Sequence, residues 1–136
     1  MVASSRLDLF DRELASTLTS ASAELQRRAA EFAASWAIAR IGLVHPALSA
    51  NSVESVSALC AELDEQYFDM AEEREVGRAS DDDVVAAFGR ARAANAVEFM
   101  LRGEPGEAIY ESAAATENWP ELQASLLLLL RAAKSD

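Results

Sequence analysis

Apolar residues recur at Leu7, Phe10, Leu14, Leu18, Ala21, Leu25, Ala29, Phe32, Trp36 and Ala39, in steps of three and four. At 3.6 residues per turn such steps gather side chains on one helical face. No other feature constrains the fold as strongly, because the stripe outruns the space available. One straight helix over Ser5–Leu43 would be about 58 Å long at 1.5 Å per residue. A compact domain of 136 residues has a radius of gyration of only about 14 Å. Either the helix breaks or bends, or it protrudes and packs against another subunit. The break is expected within Thr17-Leu18-Thr19-Ser20-Ala21-Ser22, where hydroxyl side chains compete for backbone partners.

The rest of the chain reads the same way. Pro46 ends the first region at His45. Asn51 and Glu54 have the spacing of a capping box, and Val53, Val56, Cys60, Leu63, Tyr67 and Met70 follow as a heptad seam. That seam pairs either within a bundle or across a dimer, and pairing within the bundle is the expectation. Gly77 closes this helix. Ser80 with Asp83 opens the next, which runs to about Arg102 with Val84, Phe88, Ala91, Phe99 and Met100 inward. Gly103 and Pro105 mark a helix end and a helix start, and that helix extends to about Thr116. Asn118 and Glu121 suggest a last capping box before a helix from Trp119 to about Ala133. The expected fold is all-α, one helical bundle of about five helices with a long, bent first helix, in a single domain over residues 1–136.

Composition supports this. Half of the residues are hydrophobic (51%), with 29 alanines, five glycines and three prolines. Disordered chains are poorer in apolar residues, disulfide scaffolds far richer in cysteine, and β-sandwiches richer in turn residues and β-branched runs. Eleven of the twelve basic residues are arginine, which with the alanine content suits a GC-rich bacterial genome. Met1–Leu9 contains no continuous apolar segment of a secretory signal. No apolar run is longer than the five residues of Leu126–Leu130, far short of the roughly 20 residues of a membrane span. A cytoplasmic protein is expected.

The formal charge is −11, and it is unevenly placed: residues 54–83 carry −9, residues 1–53 are neutral and residues 84–136 carry −2. Nucleic acid and anionic membrane surfaces are therefore unsuitable partners, since both demand clustered Lys and Arg. A basic protein is the natural complement. Glu62, Glu65, Asp69, Glu72 and Glu73, with Asp81, Asp82 and Asp83 in the turn that follows, form the candidate partner-binding face. Like charges three and four apart on a helix each cost a few tenths of a kcal/mol, so the arrangement works against the fold. The alternative is a solvated, solubilising surface. A second candidate surface lies in the leucine run. Leu122, Leu126, Leu129 and Ala133 share one helical face, while Leu127 and Leu128 point to the side or away and are the candidate contacts of a homodimer.

Catalytic and metal chemistry find little to work with. His45 is the only histidine and stands beside a proline, the setting of a loop residue or a cap rather than a general base. Cys60 falls in the apolar seam, as a small core residue does. No Glu-x-x-His pair, EF-hand ligand pattern, glycine-rich phosphate loop or Cys-x-x-Cys motif occurs. No metal, no cofactor and no enzymatic activity are expected. Trp36 and Trp119 read as core aromatics without a second aromatic to form a cage.

Asp81-Asp82-Asp83, the helix Ala91-Arg92-Ala93-Ala94-Asn95-Ala96-Val97-Glu98, then Gly103, Glu107-Ala108-Ile109 and Ser112 to Thr116 together resemble the second half of the YjaG-like bacterial helical proteins. Phe32 to Leu48, with Arg40 and His45-Pro46, is similar to part of their first half, so the resemblance covers about residues 25–125. It implies an all-helical fold and no particular activity. In size and charge the chain is also similar to the small acidic immunity proteins that neutralise bacterial toxins. The Gly103 turn is similar to a tetratricopeptide turn, but its large residues and a 34-residue repeat are missing.

Overall fold

The computed structural model describes residues 5–132. It is all-helical: seven α-helices, α1 (Arg6–Phe10), α2 (Arg12–Thr19), α3 (Ala23–Ile41), α4 (Val53–Glu75), α5 (Asp81–Leu101), α6 (Pro105–Ala115) and α7 (Trp119–Ala132), with a 3-10 turn at Pro46–Ser49. The expected five become seven because the first segment divides twice.

One division lies where the hydroxyl residues predict it. The Thr17 and Thr19 hydroxyls donate to the Glu13 and Ala15 carbonyls, each at 2.8 Å. The chain then leaves the helix, and Ser22 restarts it by accepting from the Leu25 amide. The second division, at Asp11, has no glycine, proline or hydroxyl run to announce it. Asp11 is extended (φ −151°, ψ 93°), ends α1, and caps α2 by accepting from the Leu14 amide at 3.0 Å. One aspartate thereby serves two helix ends, and the long stripe folds into three short pieces around Leu7, Leu14, Leu18 and Leu25, all buried.

At α4 the cap is Ser52, which accepts from Ser55, and the Asn51/Glu54 box does not form. An N-cap must be extended, whereas Asn51 holds φ 54° to close the preceding turn. Farther on, the Ser80/Asp83 capping box has both of its hydrogen bonds, at 3.1 and 3.0 Å. Gly77 and Gly103 take the left-handed backbone that ends α4 and α5, and Pro105 opens α6. At α7 the expected box is replaced by a side-chain bond, with Asn118 Nδ2 donating to Glu121 Oε2 at 2.6 Å.

Helices α3, α5 and α6 pack against one another through small residues. Ala29, Ala30, Ala33, Ala34 and Ala37 of α3 face Ala91, Ala93, Ala94 and Ala96 of α5 and Ala108, Ser112, Ala113 and Ala115 of α6, every one of them buried. Gly89 belongs to this seam: a Cβ there would sit 2.8 Å from Ile41 Cδ1 and 3.0 Å from the Ala115 carbonyl oxygen. Apart from Val97, the inward face of α5 is therefore alanine and glycine; Ala91 is buried as expected, while Val84, Phe88, Phe99 and Met100 are only half-buried. Three-sided burial of α5 leaves room for methyl groups and pushes larger side chains to the flanks. On one side of this trunk, Leu122, Leu126 and Leu130 of α7 complete a leucine cluster with α1 and α2. The buried register uses Leu130 where Leu129 is expected, and Ala133 lies outside the described residues.

Helix α4 packs chiefly on α5 and on the 3-10 turn. Its heptad seam is satisfied within the chain: Val56, Cys60 and Leu63 are buried, and Val53, Tyr67 and Met70 half-buried. None of residues 64–86 is buried, so the far half of the α4–α5 hairpin is a two-helix extension beyond the core.

Candidate functional site

Seven of the eight acidic residues singled out above lie on this extension, and Glu62 stands just before it. Glu62, Glu65, Asp69 and Glu72 are exposed on the side of α4 turned away from Val56 and Leu63, and Glu73 is half-buried beside them. Across the turn, Asp81, Asp82 and Asp83 occupy the first turn of α5. They do not all play the same part. Asp83 holds the capping box, and its hydrogen bonds from the Ser80 backbone and side chain keep its carboxyl below the ordinary range. Asp81 meets Arg74 at 3.2 Å and Glu73 meets Arg78 at 4.0 Å; exposed pairs of this kind hold charge weakly. Glu62, Glu65, Asp69, Glu72 and Asp82 have no ion-pair partner among the described residues. Three acids at the end of α4 also oppose the negative C-terminal end of its dipole, whereas the aspartates of α5 complement theirs.

Apolar surface accompanies the charge. Phe68 is 63% exposed, and Val76 and Val85 are exposed as well. The Phe68 ring lies 5.4 Å from Tyr67, which in turn meets Phe88 of α5 edge-on at 5.5 Å. Asp64, one turn before Phe68, has its carboxyl raised by burial; Arg92 opposes the rise while Glu111 and Glu98 add to it.

The most deeply placed charge among the described residues lies on α6, between α1 and α5. Glu111 of α6 is 2% exposed. Its Oε1 accepts from Arg6 of α1 at 2.8 Å, and both of its oxygens accept from Arg92 of α5 at 3.1 Å. Arg6 also donates to Glu107 through Nε at 2.8 Å and lies 4.4 Å over the Tyr110 ring. Arg92 lies 4.9 Å over Phe88. A buried carboxylate is tolerable only when paired and hydrogen-bonded, and this one joins three helices. Sequence spacing misses the trio because Arg6 and Glu111 are 105 positions apart. The available signal is an acid set among Ala108, Ile109, Ser112 and Ala113, where the helix is otherwise apolar.

Other candidates take structural roles. His45 caps the 3-10 turn, with Nδ1 accepting from the Ala47 amide at 3.0 Å. Cys60 is buried, and burial with neighbouring Glu98 and Asp64 pushes its thiol up to about 12, so it stays protonated near neutral pH. Trp119 is half-buried and, contrary to expectation, has an aromatic partner: Phe10, at 4.9 Å. Trp36, also half-buried, carries Arg40 over its ring at 5.1 Å. Leu128 is 73% exposed, whereas Leu127 is half-buried against the leucine cluster. Among the described residues no group of three or more His, Cys, Asp or Glu could hold a metal ion, and no helix is long and apolar enough to cross a membrane. Comparison of the chain with family models, curated proteins and solved structures finds no match.

Proposed function

We propose that this chain is a non-enzymatic protein-interaction module whose α4–α5 extension offers an acidic face to a basic partner; an immunity-type inhibitor is one form such a module takes. The observation that supports the reading is the coincidence of charge with exposure. Residues 54–83 carry −9 of the total −11, and the part of the hairpin that bears most of that charge has no buried residue. Carboxylates three and four apart cost stability, and on an extension held by two helices that cost is not offset by core burial. Capture of a cationic surface would offset it.

The test is a titration of labelled protein with hexalysine amide, followed by amide chemical shifts. Shifts confined to residues 62–83, and absent when Glu65, Asp69, Glu72 and Glu73 are together changed to their amides, support the reading. Shifts spread evenly over the surface, or unchanged in the fourfold variant, refute it. The fourfold variant should fold as well as the parent or slightly better.

A second reading, favoured by the exposure of Leu128 on α7, is self-association into a homo-oligomer with the acidic surface merely solubilising. Light scattering across a concentration range tests it, with Leu128→Glu as the informative variant. Leu127→Glu would disturb the leucine cluster, because Leu127 packs against it.

A further inference from the structure

We infer that the partner inserts an arginine over the exposed face of Phe68. This rests on the proposed function and names the chemistry by which the acidic face would recognise its occupant.

The chain itself shows what such a contact looks like. Arg40 lies over Trp36, Arg92 over Phe88 and Arg6 over Tyr110, at 5.1, 4.9 and 4.4 Å from the ring centres. Each guanidinium is also held by a carboxylate: Arg40 by Glu121, Arg92 by Glu111, Arg6 by Glu107 and Glu111. The shared unit is an aromatic face, a guanidinium on it and an acid gripping the guanidinium edge. Arginine suits this better than lysine, because a planar, weakly hydrated cation stacks on a ring while its N–H groups still reach a carboxylate.

In two of these units the arginine stands four residues after the ring, Trp36 to Arg40 and Phe88 to Arg92, one helical turn along the same face. Phe68 breaks the pattern. Its fourth residue onward is Glu72, its fourth residue back is Asp64 and its third back is Glu65. The ring is present and exposed, acids flank it along the helix, and among the described residues no guanidinium lies over it. The missing component is the cation. An exposed phenyl ring among carboxylates gains little from water and repels a second acidic surface, but it complements a basic segment whose arginine side chain covers the ring while Asp64, Glu65 and Glu72 take up its charge. Tyr67, itself edge-on to Phe88, lies beside the ring.

The experiment compares hexa-arginine amide with hexalysine amide on the parent protein and on Phe68→Leu, which keeps an apolar side chain of similar bulk and removes the π-face. Because Phe68 is exposed, the variant folds, and its thermal midpoint confirms this. The parent should prefer the arginine peptide, and Phe68→Leu should cut that preference by about two- to fivefold while leaving hexalysine affinity unchanged. Phe68→Trp should restore or increase it. An arginine preference that survives Phe68→Leu overturns the inference and leaves the acidic-face reading standing. Absence of shifts at residues 62–83 with both peptides refutes the acidic-face reading and this inference together. Self-association of the parent that Phe68→Leu abolishes would make the occupant a second copy and overturn the inference as well.

Discussion

The trunk of α3, α5 and α6 and the free half of the α4–α5 hairpin share a helix, yet opposite rules govern their composition. In the trunk, α5 presents Ala91, Ala93, Ala94 and Ala96 to close neighbours, and Gly89 sits where even a methyl group collides with a carbonyl. Two turns earlier the same helix carries exposed Val85 and three aspartates. Helices that approach closely exclude large and charged side chains, and helices with one neighbour leave most of their circumference open. The trunk is therefore a region where side chains answer to fit, and the extension one where they answer to solvent.

This contrast is open to direct attack by substitution. The largest effect is expected at Glu111, the one charge that the trunk admits. Glu111→Ala leaves Arg92 and Arg6 without their shared carboxylate and should lower unfolding stability by about 3 kcal/mol in urea titration, whereas Phe68→Ala on the extension should change it by under about 0.5 kcal/mol. Equal effects would erase the distinction. Gly89→Ala comes next, at about 1–3 kcal/mol: the tip of Ile41 is able to rotate aside, but the Ala115 carbonyl at the end of α6 is backbone and moves only with the chain. A neutral or stabilising result would mean that the seam is looser than its distances indicate.

The smallest effect concerns the tip of the extension. Because the Asp83 carboxyl is held below its unfolded value by Ser80, its contribution is present above the ordinary carboxylate range and is lost as the pH falls through the lower folded value. Ser80→Ala should weaken hydrogen-exchange protection in the first turn of α5 at neutral pH and flatten its dependence on acid below that point. Retained acid dependence in the variant would assign it to another group.

The chain's local signals carried much of this. Helix ends at Gly77 and Gly103, starts at Ser80 and Pro105, and the break before Ser22 are each decided within a few residues, by left-handed backbone, capping side chains and competing hydroxyls. The acidic residues were equally legible, since charge is counted rather than folded. What escaped is what depends on neighbours. Asp11 reads as an ordinary helical acid until the two halves it joins find the leucine cluster. A helix as rich in alanine as α5 has no apolar period, so its inward face is set by the helices around it. Five consecutive leucines likewise fix no register, and Leu130 rather than Leu129 is buried. The Arg6–Glu111–Arg92 trio and the tilted contact of Phe10 with Trp119 are pairings across the whole chain, and no spacing rule reaches that far.

The alanine seam has an evolutionary consequence. An interior of large side chains has room to drift: one residue loses atoms, a neighbour gains them, and the sum is kept. A seam of methyl groups has almost nothing to give up, so most changes within it add volume and are rejected. In the far half of the hairpin, by contrast, charge and shape are free to vary without disturbing α3 or α6. A molecule organised in this way has a frame that tolerates little substitution and an extension that tolerates much.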